Sequence, residues 1–156
     1  MQLKPRIFHG GWIALTGGLA VWLAACAGGP PGNLGVTDGR LAPCPSSPNC
    51  VSSFAADSRH KIAPLAFSGA PQAAFDRLKK VLADRSDTKI IEEKPGYLRV
   101  AFHTLLFVDD GEFLLGKDHI DVRSASRLGY SDLGKNRKRM ESIRKAFEQL
   151  ENSSAQ

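Results

Sequence analysis

The first 25 residues constrain the fold more than any other feature of the sequence, because they carry no acidic side chain and belong to no domain core. Lys4 and Arg6 precede residues 7–23, an apolar run of 17 residues that four glycines interrupt. A basic start, an apolar middle and small residues at the end are typical of a secretory signal peptide. The alternative, an uncleaved membrane anchor, needs roughly 20 apolar residues. We therefore expect residues 1–25 to be removed on export.

The end of this segment favours a lipid anchor. Leu23, Ala24, Ala25 and Cys26 resemble, in that order, the lipobox of bacterial lipoproteins, in which the cysteine becomes the lipidated first residue of the mature chain. The resemblance implies that Cys26 carries acyl chains such as palmitate, each buried methylene contributing about 0.8 kcal/mol to membrane binding. Ala27, rather than Asp, follows the cysteine, which in this pattern implies the outer membrane. We expect a lipoprotein of the bacterial cell envelope that faces the periplasm.

The mature chain has room for one domain. Residues 26–40 are rich in glycine and proline and predict a flexible tether, residues 41–150 a single domain, and residues 151–156 a disordered tail. Removal of the signal peptide lowers the formal net charge from +5 to +3, since Lys4 and Arg6 leave with it. This modest charge, in an exported chain whose aromatic residues fit a core, argues against nucleic acid as a partner.

Two cysteines remain in the mature chain. Cys44 and Cys50 enclose five residues, two of them proline, which favour a turn that brings the sulfurs together in an oxidising compartment. We predict a disulfide bond. A redox pair usually has two intervening residues at a helix start, and a zinc site would need His60 and a fourth ligand at no recognisable spacing.

Periodicity predicts two helices and at least two hairpins. Pro71 suits the first turn of a helix over residues 71–84, and Asp132 can cap a second helix. The apolar stripe expected on that second helix is Leu133, Met140, Ile143, Phe147 and Leu150. Strands are expected over residues 89–93, 97–107, 108–115 and 120–126. The fold class is therefore α+β, with a small antiparallel sheet of four to five strands and two helices packed on one face.

A loop of either two or four residues between the strands at 108–115 and 120–126 gives this second hairpin the same register. It places Leu115 opposite Ile120 and Phe113 opposite Val122 on an apolar face. On the other face it places Glu112 opposite Arg123, which predicts a structural cross-strand ion pair.

The basic charge is concentrated in residues 117–145, where nine basic residues face four acidic ones. Helix N-termini and arginine side chains both favour phosphate or carboxylate groups. The candidate anion-binding residues near the start of the last helix are Arg123, Ser124, Ser126, Arg127, Asn136 and Arg137. The alternative is that Arg137, Lys138, Arg144 and Lys145 form a solvated helix face while Arg123 pairs with Glu112.

Three segments closely resemble one known family. They are residues 44–53 (CPSSPNCVSS), residues 109–113 (DDGEF) and residues 121–137 (DVRSASRLGYSDLGKNR). They resemble the domain-of-unknown-function 1499 family over about residues 35 to 150. The resemblance implies an exported or lipid-anchored bacterial protein and supplies no reaction. Gly111 departs from the expected pattern of a larger residue between the acids, which predicts weaker strand pairing there.

No catalytic signature accompanies this resemblance. Asp110 and Glu112 share a strand face and, with Asp109 and His103 or His119, could support a metal-assisted hydrolase of phosphate esters or another envelope substrate. Their spacing matches no metal motif, and no serine lies in a nucleophile elbow. The sequence therefore favours a non-catalytic binding module without cofactor or metal. Its partners would be the membrane through Cys26 and an anionic ligand, such as a lipid headgroup, a polysaccharide or an envelope protein.

Overall fold

The computed structural model describes residues 28–154. The predicted signal peptide, the lipidation at Cys26 and the last two residues lie outside the described residues. Along the described part, four strands precede each of two helices. The elements are, in chain order, β1 (Val36–Thr37), β2 (Arg40–Leu41), β3 (Cys50–Ser52), β4 (Leu65–Ala66), α1 (Pro71–Ala83), β5 (Thr88–Lys94), β6 (Tyr97–His103), β7 (Val108–Leu115), β8 (His119–Ser126) and α2 (Lys135–Ser154).

The main sheet is antiparallel and has six strands in the described chain. Its order is β3, β8, β7, β6, β5, and the short strand β4 also pairs with β8. The α+β class is confirmed, but the expected four to five strands are too few. The sequence missed β3 and β4 because they have three and two residues, which is too short to show alternation. A separate hairpin joins β1 and β2.

The register of the second hairpin is the predicted one. Leu115 pairs with Ile120, Phe113 with Val122, and Glu112 with Arg123. The preceding hairpin differs from the expectation, since β6 ends at His103 and not at residue 107. Residues 104–107 form the loop to β7, closed by a hydrogen bond from the Thr104 amide to the Phe107 carbonyl (2.9 Å). Without glycine or proline, this loop carried no turn signal in the sequence.

Both helices pack against one face of the sheet. Leu98, Val100 and Phe102 alternate along β6 and are fully buried between the sheet and the helices. Helix α1 begins at Pro71 as predicted. Helix α2 begins only at Lys135, and Leu133, which we expected in its apolar stripe, is exposed in the loop before it. The helices contribute to the core Ala74, Phe75, Leu78, Val81, Leu82, Met140, Ile143 and Phe147.

Gly111 lies where no side chain fits. A Cβ atom at this position would lie 2.3 Å from Cε2 of Phe102 and 2.9 Å from Cγ2 of Val100. Strand β7 pairs continuously through Gly111, with Val100 on one side and Ser124 on the other. The expected weakening of strand pairing is wrong, because the Phe102 ring fills the space that a side chain would occupy.

The other face of the sheet lies under the start of the described chain. We call this the covered face; it carries Asp110, Glu112 and Arg123. Within the segment that we interpreted as a tether, the Gly35 amide donates a 2.7 Å hydrogen bond to Glu112 Oε1, and β2 contacts β7 and β8. The predicted disulfide between Cys44 and Cys50 is confirmed, with their Cα atoms 5.6 Å apart. It links the end of this covering segment to β3.

The C-terminal helix extends further than the predicted domain end at residue 150. It continues through Ser154, into the stretch that we assigned to a disordered tail. Glu151 pairs with Arg77 of α1 (3.1 Å) and accepts a hydrogen bond from the Ser68 amide (2.9 Å). Neither helix of the described chain is long and apolar enough to cross a membrane.

Candidate functional site

The covered face holds a buried ion pair. Arg123 Nη1 lies 2.8 Å from Glu112 Oε2, and the two side chains are 2% and 0% exposed. Glu112 Oε1 accepts further hydrogen bonds from the Tyr97 hydroxyl (2.9 Å) and the Gly35 amide (2.7 Å). Burial and the negative charge of Glu112 raise the pKa of Tyr97, which keeps its hydroxyl a donor. Arg123 therefore serves the fold here as the predicted cross-strand partner of Glu112.

A second ion pair, between Arg127 and Asp110, lies next to the first on the covered face. Arg127 donates two hydrogen bonds to the buried Asp110, from Nε to Oδ2 (2.8 Å) and from Nη2 to Oδ1 (3.0 Å). These hydrogen bonds raise the pKa of Arg127 further. A bidentate arginine that is already matched to a carboxylate has no comparable geometry left for an external anion.

Ser124, Ser126 and Asn136 lie on the helix side of the sheet and form hydrogen bonds with one another. Asn136 accepts hydrogen bonds from Ser124 Oγ (2.5 Å) and from Arg139 Nη1 (3.0 Å). Its Nδ2 donates to Ser126 Oγ (3.0 Å) and to the Asn49 carbonyl (3.1 Å). This network joins Asn49, directly before β3, to β8 and α2, so these polar groups hold the start of α2 against the sheet.

Arg139, which the sequence analysis did not single out, completes the network. Its Nη2 lies 2.8 Å from Asp109 Oδ2, and its guanidinium stacks on the Phe102 ring at 4.6 Å. Arg137 instead donates to two backbone carbonyls, those of Arg59 (2.8 Å) and Lys61 (2.7 Å).

The N-terminus of α2 is also occupied from within the chain. Asp132 accepts hydrogen bonds from the Gly134 amide (2.9 Å) and the Asn136 amide (2.7 Å). Its carboxylate therefore takes the place at the helix N-terminus where we expected an external anion to bind. The structure does not bring the six candidate residues together around one open site: Arg123 and Arg127 serve the covered face, and Ser124, Ser126 and Asn136 serve the helix side.

Of the groups considered for a hydrolase, the three acids and His119 are engaged in separate ion pairs. Asp109, Asp110 and Glu112 each pair with a different arginine. His119 lies at the opposite end of the sheet, where its Nδ1 is 2.6 Å from Asp118. His60, considered for zinc, lies 3.0 Å from Asp57 and 3.1 Å from the Ser47 carbonyl oxygen. Within residues 28–154, no three histidine, cysteine or acidic side chains gather as a metal site.

An open cavity of about 430 Å³ lies where the β6–β7 loop meets the loop between β8 and α2. We call the end of the domain formed by residues 104–107 and 127–134 the loop end. Phe107, Leu128 and Leu133 supply the apolar wall, while Asp109 and Ser126 lie at the polar side. The cavity is also lined by Gly129, Ser131, Asp132, Lys135 and Lys138.

Lys135 and Lys138 give this cavity its charge. Both side chains are exposed, and neither ammonium group forms an ion pair with another described residue. Asp109 is paired with Arg139, and Asp132 binds the two helix amides. An apolar wall next to two unpaired cations suits an amphipathic anion.

Two expectations from the sequence concealed this site: a strand that includes residues 104–107, and a solvated helix face that includes Lys138. The available signal was the run of four apolar residues, Leu105, Leu106, Phe107 and Val108, which breaks the alternation of β6 directly before two aspartates.

Residues 40–147 match the family model described as "Protein of unknown function (DUF1499)". The match includes all six strands of the main sheet, α1, most of α2 and the whole loop end. This confirms the family that three sequence segments indicated. No curated protein and no solved structure shows significant similarity to the chain.

Proposed function

The chain belongs to the DUF1499 family, and from this premise we propose that it is a lipid-anchored protein of the bacterial envelope whose domain is a non-catalytic binding module. The proposed ligand is an anionic amphiphile, with its apolar part against Phe107, Leu128 and Leu133 and its anionic group between Lys135 and Lys138. The anchor would be the lipidated Cys26, facing the periplasm from the outer membrane.

The sequence supports the anchoring part of this proposal. An acid-free apolar segment ends at Leu23-Ala24-Ala25-Cys26. The disulfide between Cys44 and Cys50 is consistent with maturation in an oxidising compartment. Replacing Cys26 by alanine should leave the protein unacylated, which an intact mass of the purified full chain would show; an acylated variant would contradict the anchor.

The pairing of the buried charges supports a binding role over a catalytic one. A general base or metal ligand needs a free carboxylate near substrate. Asp109, Asp110 and Glu112 are each almost fully buried and bound to an arginine. An external substrate would have to break one of these pairs, which leaves a buried charge without a partner.

The cavity at the loop end is the observation that carries the proposed ligand class. It is the place where apolar side chains and unpaired cations converge: Lys135 and Lys138 follow the exposed Leu133 within five residues. Inorganic phosphate would meet only the lysines. A ligand with an alkyl chain would also cover the apolar wall, and each buried methylene adds about 0.8 kcal/mol.

Native mass spectrometry of the domain that begins at Ala27, secreted into a periplasm, tests the proposal with dodecyl phosphate below its micelle concentration. One molecule should bind the wild type, and Lys135→Glu with Lys138→Glu should weaken binding about tenfold by reversing two favourable contacts. The matched control, Lys117→Glu with Lys145→Glu, changes the net charge equally at exposed positions that do not line the cavity. An equal loss of dodecyl phosphate affinity in both double variants would contradict the site. Inorganic phosphate that binds as tightly as dodecyl phosphate would contradict an amphiphilic ligand.

A further inference from the structure

We infer that the loop end is a second membrane contact, whose apolar side chains enter the surface of the bilayer in which Cys26 is anchored. The inference rests on the anchoring part of the proposed function and goes beyond it. It assigns the domain one orientation, with the loop end toward the lipid and the turn between β7 and β8 away from it.

The distribution of exposed apolar side chains is the first observation. Nine large apolar residues are exposed in the described chain, and six of them lie at the loop end. Leu105 is 97% exposed and Leu133 88% exposed. The other four are Leu106, Phe107, Leu128 and Tyr130. A cluster of this kind on one end of a small domain marks an interaction surface.

The path of the chain is the second observation and identifies the occupant. Gly28 packs against Leu128, since a Cβ on Gly28 would lie 2.9 Å from Leu128 Cγ. Its carbonyl accepts a 3.4 Å hydrogen bond from Arg127 Nη1. Cys26 is only two residues earlier, and two residues span at most about 7 Å. The described chain thus starts beside the apolar cluster, within reach of the anchor.

Charge at the loop end is complementary to an anionic lipid surface. Lys135 and Lys138 flank the cluster without a described carboxylate partner. Of the two acids that line the cavity with them, Asp109 is paired with Arg139, and Asp132 binds the Gly134 and Asn136 amides at the start of α2. Apolar side chains with lysines at their rim are the pattern of interfacial membrane binding, in which an acyl anchor and a second contact act together.

The chain offers a direct optical test, because its two tryptophans, Trp12 and Trp22, both lie in the predicted signal peptide. Leu106→Trp therefore places a single reporter in the processed chain. Ile91→Trp is the matched control, since Ile91 is also exposed but lies on β5, outside the loop end. Each acylated and processed variant, verified by intact mass, is reconstituted in phosphatidylglycerol-containing vesicles with or without brominated lipid.

We expect a blue-shifted emission from Leu106→Trp and quenching by brominated lipid about twofold stronger than for Ile91→Trp, because interfacial side chains reach the acyl boundary. Leu133→Trp should show the same blue shift and quenching as Leu106→Trp, so the result does not depend on how one substitution changes its own surroundings. Circular dichroism identical to the wild type confirms that each variant folds.

Two outcomes would overturn the inference. Emission and quenching equal to the Ile91→Trp control, in protein shown to be acylated, would mean that the loop end stays in water while the anchor stands. A blue shift that depends on protein concentration and ignores brominated lipid would assign the surface to a second copy of the chain. A protein that lacks acylation would instead contradict the proposed anchor, so the two failures remain distinct.

Discussion

The covered face and the loop end use charge in opposite ways. On the covered face, Arg123 and Arg127 are matched to buried carboxylates at 2.8 Å. At the loop end, Lys135 and Lys138 are exposed and have no carboxylate partner among the described residues. The same formal charge thus stabilises the fold at one place and remains available to a ligand at the other.

This difference follows from side-chain chemistry. A planar guanidinium donates two parallel hydrogen bonds and tolerates burial, whereas an ammonium group is strongly hydrated and stays at the surface. The local excess of basic residues in the sequence therefore overstates the positive charge that stays unpaired in the folded protein. Only the residues whose charge is unmatched in the folded state can recruit an anion.

The largest expected effect comes from breaking the buried pair. Arg123→Ala leaves Glu112 buried without its counter-charge, and removal of one partner of such a pair costs about 3–5 kcal/mol of unfolding free energy. Urea denaturation measures this loss. Lys145→Ala, at an exposed position of α2, should stay within about 0.5 kcal/mol.

A loss of unfolding free energy below about 1 kcal/mol for Arg123→Ala would contradict the difference between the covered face and the loop end. Arg123 would then contribute no more than an exposed surface charge. The double variant Glu112→Gln with Arg123→Met should cost less than Arg123→Ala alone, since no buried charge is then left unpaired.

Loss of the disulfide should have the second-largest effect on the unfolding free energy, because the disulfide holds the segment that lies over the covered face. Replacing Cys44 and Cys50 by alanine should lower the unfolding free energy by about 2–2.5 kcal/mol, from the restored freedom of the unfolded loop. Thermal unfolding of the oxidised wild type and the double variant measures the difference. No loss of stability would mean that the covering segment is held by its other contacts alone.

Gly111 tests the strand that carries both acids of the covered face. Gly111→Ala should cost about 1–3 kcal/mol, because the new methyl group overlaps the Phe102 ring. Gly32→Ala is the control, since nothing lies within 4 Å of a Cβ there. Chemical denaturation measures the unfolding free energy of the two variants. Equal stability would contradict the tight packing of β7 on β6.

An exposed ion pair should give the smallest effect. The hydrogen bond to Asp118 and the charge of Asp121 raise the pKa of His119 above its ordinary value of 6.5. Protonated His119 therefore stabilises the fold fully below pH 6.5, and this contribution disappears as the pH rises through the raised pKa.

We expect this contribution to be at most about 0.5 kcal/mol, because the pair is exposed to solvent. The stability difference between the wild type and His119→Gln, measured at pH 5.5 and pH 8.5, should be larger at the lower pH. The reverse order would contradict the direction of the pKa change.

Elements whose structure depends on neighbouring residues in the chain could be predicted from the sequence. The pairing of β5 with β6, the helix starting at Pro71 and the register of the β7–β8 hairpin all depend on residues close together in sequence. The ion pair of Glu112 and Arg123 was predictable for the same reason, since one hairpin register places them opposite each other.

The other partners of the buried acids could not be predicted from the sequence, because they lie far away along the chain. Arg139 reaches Asp109 across the space between α2 and β7, and Gly35 reaches Glu112 over 77 positions of chain. The loop at residues 104–107 was read as strand because it is apolar and lacks glycine and proline, although the structure exposes it. Its exposure depends on where the sheet ends, which the sequence does not mark.

The sequence by itself determined the strand and helix periods, the paired cysteines and the segment that predicts export, because each depends on short stretches of chain. Only the tertiary structure decided which basic residues are matched by acids, and which apolar residues remain outside the core. The physical reason is that burial and ion pairing are properties of side chains brought together from distant positions, so equal residues acquire unequal roles.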